Sequence, residues 1–464
     1  MLNVTNLSDQ VSLIPVRPAS IVTRWRAFLA HSPLRRLGHD ALVAVMTSSF
    51  AKGLGFIKEV LVAALFGLSG ALDIYLVAVV LIGFPVSILL NAVQTALISA
   101  LAADQSSSID RRRLIAATAL LTVACLAALL PLWLLLLPKL LPWLAFGFSP
   151  EKRQGLEAAL FWLMPYYFLN GLNLLGYGVL QAKGRYFVNG LLPSVTPIAT
   201  ILVLLASGST ADWHVLTTAL VLGTAVECAA LVIVLLRGEH LAMPRWQDIV
   251  RPKPVVSASL LLLPGTLMLG LGPVIEQAIA ASMDEGTNAA LGYGLKLPAA
   301  IQGILLTAVG ITALPFFASQ LGQKRAAYCL HSLDKLTRWL LAGGMLLAIP
   351  LAVLSSEIVM LLYQRGAFDA AATSRVAPIQ FAYFVQLPFA IVAMLGLKAL
   401  AALGREVLVS TYITGAVLLQ GALAYGLGTR YGAVGIAWAA TVVSALQATA
   451  NFLTARSAFH RLSA

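Results

Sequence analysis

Hydrophobic positions along this chain run in long blocks rather than in alternation. Leu114–Pro138, Trp213–Leu236 and Trp339–Leu362 are examples, each long enough to cross a hydrocarbon core of ~30 Å as a helix. Strand-length alternating segments are absent, which excludes a membrane β-barrel and leaves helices that satisfy their own backbone hydrogen bonds. With Gly, Pro and charged loops as boundaries, the pattern predicts twelve spans: 41–66, 71–101, 114–137, 156–181, 187–207, 213–236, 254–283, 287–319, 337–363, 371–402, 407–428 and 431–455. The expected fold is an all-α polytopic membrane protein.

Composition strengthens this picture. Hydrophobic residues make up 59% of the 464 positions and charged residues only 11%, with a mean hydropathy of +0.88, well outside the range of soluble globular chains. Lys and Arg are unevenly placed. With the N-terminus inside, the outer segments hold Lys139, Lys152, Arg153, Arg365, Arg375 and Arg430, and the inner segments hold most of the rest. Cytoplasmic loops collect such residues, so both termini are expected in the cytoplasm. A basic inner face beside anionic lipid also accounts for the net charge of +12 without any nucleic-acid partner. The basic leader 1–40 lacks an apolar core followed by a small-residue cleavage site, and does not read as a cleaved signal peptide.

The chain also resembles itself. Gly53-Leu54-Gly55-Phe56-Ile57-Lys58-Glu59 recurs as Gly270-Leu271-Gly272-Pro273-Val274-Ile275-Glu276, in spans 1 and 7. Gln181-Ala182-Lys183-Gly184-Arg185, before span 5, recurs as Ala401-Ala402-Leu403-Gly404-Arg405, before span 11. Repeats of this length predict two six-helix halves, 41–236 and 254–455, joined by the linker 237–253 and followed by a short tail, 456–464. Six is even, so the halves enter the membrane from the same side and are parallel.

Charges inside such spans are costly, on the order of 2.5–3.5 kcal/mol each at mid-membrane, and normally face a wet cavity with a partner. Span 1 carries Lys52, Lys58 and Glu59, span 2 Asp73, span 7 Glu276 and span 8 Lys296. Lys52 and Glu59 share a helix face, whereas Lys58 points about 120° away on an ideal helix, and Gly53 and Gly55 offer a place to bend. These residues predict a central cavity between the halves, lined by the cations Lys52, Lys58 and Lys296, with Glu59, Asp73 and Glu276 as partners or gates. Such a cavity suits an anion. The bland alternative is buried ion pairs that fix helix register. Asn91, Gln94, Asn170 and Gln277, with Asn173 and Gln302, are candidate polar lining residues, although such amides also serve as helix–helix hydrogen bonds. Glu227 in span 6 and Lys398 in span 10 read equally well as structural. Cys125, Cys228 and Cys329 show no disulfide spacing, and no metal-ligand, triad or nucleotide-loop pattern is present, so no cofactor is expected.

Several of these segments are similar to a known family. The stretch from Gly55 to Gly67 resembles the first-helix signature of MurJ/MviN-type lipid II flippases, in the multidrug/oligosaccharidyl-lipid/polysaccharide exporter superfamily. Leu72–Ala78, Leu144–Phe148, Met164–Pro193 and Leu362–Phe368 continue the resemblance in order. It implies a flippase that moves an undecaprenyl-pyrophosphate-linked saccharide, lipid II or a surface-glycan repeat unit, from inner to outer leaflet by alternating access. With no Gly-rich Lys-Ser/Thr nucleotide loop in the chain, ATP is not expected to drive it, which leaves the membrane potential or a coupling ion. It also implies that Lys52, Lys58 and Lys296 occupy positions where the family typically has arginine, and that Asp73 matches its acidic residue. Lysine keeps the charge but loses bidentate phosphate recognition. A further family arginine in helix two has no counterpart in Phe84–Asn91, and the two extra helices that usually follow helix twelve have none either. The rival within transport is a cation-coupled multidrug antiporter, which would call for an acid-dominated cavity. An enzyme is not expected, because the inner loops are too short to build a sugar-handling domain.

Overall fold

A computed structural model describes residues 33–103, 108–145, 147–207, 212–237 and 253–463. Residues 1–32 of the leader and nearly all of the linker 237–253 lie outside these residues. Among the described residues there are helices and turns and no strands. Every predicted span falls on helix. Spans 1 to 3 are Pro33–Phe66, Gly70–Ala103 and Ser108–Leu144. Span 4 is divided at Leu163 into Pro150–Trp162 and Met164–Ala182, and span 5 runs as Tyr186–Leu191, a short 3₁₀ turn and Val195–Ala206. Span 6 is Trp213–Arg237, span 7 Lys253–Ala281 and span 8 Thr287–Gly322. Span 9 is Ala326–Val353 followed by Ser355–Tyr363, and span 10 is Ala370–Ala402. Spans 11 and 12 lie in Glu406–Ser463, which turns at Gly432 with a φ of 63°. Nine described helices are long and apolar enough to cross a membrane, with that last pair counted as one.

The helix boundaries follow from local chemistry. Ser149 caps the first helix of span 4, its hydroxyl accepting from the Lys152 N–H, with Pro150 in the first turn. Asp369 caps span 10 in the same way, accepting from the Ala372 N–H at 2.7 Å. Span 1 begins eight residues earlier than its apolar core, so the end of the basic leader extends the first helix.

The internal repeat is visible in backbone geometry. Gly184 and Gly404, at matching places before spans 5 and 11, have φ of 68° and 69°, a left-handed conformation that favours glycine. Both turns close alike: the Gly184 N–H donates to the Gln181 carbonyl and the Gly404 N–H to that of Ala401, each at 3.0 Å. The next N–H groups, of Arg185 and Arg405, reach back to Leu180 and Leu400.

The two halves share a long contact between spans 2 and 7. The Thr266 hydroxyl donates to the Ile88 carbonyl at 3.0 Å, and Gly270 admits the Phe84 ring and Ile88. A core of buried side chains from spans 2 to 7 runs along this seam, including Val86, Leu90, Leu97, Tyr167 and Val274. A second core draws on both halves, from Val62 and Phe66 of span 1 to Tyr293, Tyr363 and Phe368.

Candidate functional site

Lys58 and Glu59 are consecutive on span 1, and their side chains pair: Lys58 Nζ lies 2.7 Å from Glu59 Oε1. The long lysine side chain turns back onto its neighbour, so no break in the helix is needed to bring the two charges together. The same carboxylate oxygen receives Lys296 Nζ from span 8 at 3.1 Å. One acid of the N-terminal half therefore holds two cations, one from each half, and the ion pair ties span 1 to span 8. Lys58 and Glu59 are half-buried, at 19% and 15% exposure, and Lys296 is more open at 40%.

Aromatic residues close one side of it. Tyr293, Tyr363 and Phe368 form a triangle with ring centroids 5.2 to 5.7 Å apart, and Phe56 of span 1 joins at 5.9 Å from Tyr363. Tyr293 and Tyr363 are buried, and each lies within electrostatic reach of Glu59. Tyr75 and Tyr166 stand in the same relation to Lys58.

The ends of spans 1, 2, 7, 8 and 9 beyond this cluster, opposite the lysine- and arginine-rich loops, are sewn together. The Ala367 N–H donates to the Ala64 carbonyl at 2.8 Å, joining the loop before span 10 to the end of span 1. Gly147, before span 4, sits against Ala281 and Ser282 at the end of span 7, in the corresponding place of the other half. Gly286, with a φ of 80°, lies so close to the Leu68 carbonyl that no Cβ would fit. Asp73 completes the closure. It accepts the N–H groups of Gly286 at 2.7 Å and Ala289 at 3.0 Å, and it pairs with Lys152 at 3.0 Å. It thus caps the start of span 8 from the other half, where unpaired N–H groups and the helix dipole favour an anion.

The sequence-predicted residues therefore separate into groups. Lys58, Glu59 and Lys296 come together, and Asp73 belongs to the closure nearer the end of the bundle. Glu276 is not part of either group and accepts from the Gln420 Nε2 of span 11 at 2.9 Å. Lys52 is exposed, two turns and about 10 Å along span 1 from Glu59, and among the described residues it makes no ion pair. Asn91 is exposed, Gln94 packs against Gly178 of span 4, Asn170 is half-buried, and the Gln277 side-chain oxygen is buried without a partner. Lys152 and the aromatic triangle have no periodic signal in the sequence. Only the concentration of aromatics in Leu362–Phe368 hints at them.

The profile of the family described as "Lipid II flippase MurJ" matches residues 62–462. The chain belongs to that family. A probable lipid II flippase MurJ of a Synechocystis species is 27% identical over 463 aligned positions, covering 89% of this chain and 80% of the relative. One from Rhizobium tropici is 28% identical over 340, covering 69% of this chain and 62% of the relative. Among solved structures, lipid II flippase MurJ in an inward closed conformation superposes with a TM-score of 0.76 at 18% identity, covering 91% of this chain and 90% of that one. An inward-facing multidrug resistance transporter of the MATE family superposes at 0.71 and 12% identity, with 91% and 99% covered. At these identities the structures speak for the fold: that of the MurJ and MATE transporters of one superfamily. Membership of the MurJ family makes the chain a multi-pass membrane transporter of the lipid flippase type and not an enzyme.

Proposed function

We propose that the chain carries the headgroup of an undecaprenyl-pyrophosphate-linked saccharide from the inner to the outer leaflet of a bacterial cytoplasmic membrane, by alternating access. The observation that carries this reading is the Lys58–Glu59–Lys296 constellation, in which two cations outnumber one acid across the junction of the halves. A pyrophosphate offers several anionic oxygens and competes with Glu59 for both ammonium groups. Its arrival releases Lys296 from span 1, loosening a tie between the halves at the moment the substrate is bound. Binding energy is then coupled to rearrangement.

The basic loops mark the cytoplasmic side, and both termini lie there. The bonded closure at Ala64–Ala367 and Asp73–Gly286 is then the outer gate, shut while a headgroup enters from within. Lys52, exposed and nearer the basic end, is the first cation that a headgroup would meet. Lipid II is the leading substrate because both curated relatives carry that name. Lysine in place of bidentate arginine leaves room for a surface-glycan repeat unit on the same carrier. A drug antiporter would need the acid to dominate, and here it does not.

The test is a headgroup-flipping assay in proteoliposomes with three carriers: lipid II, an undecaprenyl-pyrophosphate oligosaccharide, and an undecaprenyl-monophosphate sugar. Flipping of at least one pyrophosphate carrier, with the monophosphate poorly moved, is the expected result. Transport of all three at equal rates would remove the pyrophosphate from the recognition step.

A further inference from the structure

Span 1 turns one face toward the aromatic triangle. Phe56, Glu59, Val62, Ala63 and Phe66 follow at steps of three and four residues, which places them along one side of the helix. Val62, Ala63 and Phe66 are buried in the core that also holds Tyr293, Tyr363 and Phe368. The Phe56 ring lies 5.9 Å from that of Tyr363. Glu59 stands inside this row, a turn from Phe56 and a turn from Val62, and both tyrosines lie within its electrostatic reach.

The hydroxyl groups of those two tyrosines are unspent. Tyr293 is 3% exposed and Tyr363 fully buried, and neither oxygen has a hydrogen-bond partner among the described residues. Tyr167 is just as buried, yet it donates to the Leu126 carbonyl at 3.1 Å. An unpaired buried hydroxyl is unfavourable, and phenylalanine would fill the same space without one, as Phe368 does at the third corner of the triangle. Glu59 faces the converse shortage. Its Oε1 is held by Lys58 and Lys296, and an anion that draws off both ammonium groups leaves a half-buried carboxylate without a donor.

We infer that Tyr293 and Tyr363 are positioning residues that receive Glu59 when an anionic headgroup takes its two lysines. A turn of the Glu59 side chain lets each hydroxyl donate to the carboxylate. The inference rests on the pyrophosphate-carrier reading above. The unpaired hydroxyls of the empty state meet the unpaired carboxylate of the loaded one, so releasing the lysines to the substrate does not strand a charge.

Binding of undecaprenyl pyrophosphate to the purified full chain in lipid nanodiscs tests this. The Tyr293→Phe, Tyr363→Phe variant should bind it about tenfold more weakly, near the loss of one hydrogen bond to a charged group, because the lysines then stay with Glu59. Without the carrier this variant should melt no lower than the parent, since the lost hydroxyls make no bond in that state. In a Glu59→Gln background the same two changes should alter affinity less than about twofold, because a neutral amide leaves no charge to relieve. Equal affinity in the parent and the tyrosine variant overturns the assignment. So does the full loss persisting with Glu59→Gln, or a lower melting temperature without carrier. Should Glu59→Gln fail to fold, affinity and melting of the tyrosine variant decide. A parent that binds no undecaprenyl pyrophosphate loses the carrier reading and this assignment with it. A parent and a tyrosine variant that bind equally well lose the assignment alone.

Discussion

At the residue scale, the charges that the sequence marks as costly divide by what they touch. Lys58, Glu59 and Lys296 meet at one carboxylate oxygen, whereas Asp73 spends its charge on the N–H groups of span 8. Replacing Lys58 or Lys296 by Ala should slow flipping by about tenfold or more. A charge-assisted contact to a phosphate oxygen is worth about 1.5–3 kcal/mol, and each 1.4 kcal/mol is tenfold. Arginine at either position should recover more activity than glutamine. If the lysines only neutralise Glu59, the Lys58→Ala, Glu59→Gln double variant should regain the parent rate, and a double-mutant cycle on initial flipping rates separates the two roles. That these residues matter was legible from their cost in a membrane. That consecutive Lys58 and Glu59 pair was not, because ideal helix geometry points them apart and the side chain's length closes the gap. Glu227 reads equally well as structural in the sequence, since Tyr177, Thr196 and Asn173 join it only through three-helix packing.

At the element scale, the spans were readable because each is a long apolar block bounded by turn residues. Their internal divisions were not. Span 4 divides at Leu163 and span 9 at Leu354, neither a Gly nor a Pro. The repeat written in Gly184 and Gly404 reappeared as matching turns, because a left-handed residue leaves a sequence mark that packing does not. The closure was marked only in part, by Asp73 and by the left-handed Gly286, because its Ala64–Ala367 bond joins backbone groups of distant segments. Cysteines at positions 64 and 367, in a chain otherwise free of cysteine, stand where an N–H···O bond of 2.8 Å holds the backbones together, close enough for a disulfide. Oxidation should stop flipping and reduction restore it. Unchanged flipping in the fully cross-linked protein would show that this closure does not open during transport. Gly286→Ala should loosen the same closure, since a left-handed backbone costs an L-residue about 1–2 kcal/mol and its Cβ would strike the Leu68 carbonyl. The expected readout is faster labelling of a cysteine at position 59 by an impermeant thiol reagent added outside.

At the scale of the whole molecule, two halves of like fold meet along spans 2 and 7 and, among the described residues, are tied by the Lys296–Glu59 ion pair and by the bonded end at Ala64–Ala367. Orientation is the frame on which the proposed direction of transport depends. Cysteines at positions 112, 183 and 324 should resist an impermeant thiol reagent in intact cells, while one at 369 reacts. Labelling from outside at 112 would reverse the frame. On the proposed function, paired lysines from both halves move a pyrophosphate-linked headgroup. This is tested most directly by comparing the parent chain with the Lys58→Ala, Lys296→Ala double variant in proteoliposomes loaded with the preferred carrier. The variant is expected to insert and melt like the parent yet lose nearly all flipping. Flipping at the parent rate would contradict the proposed function.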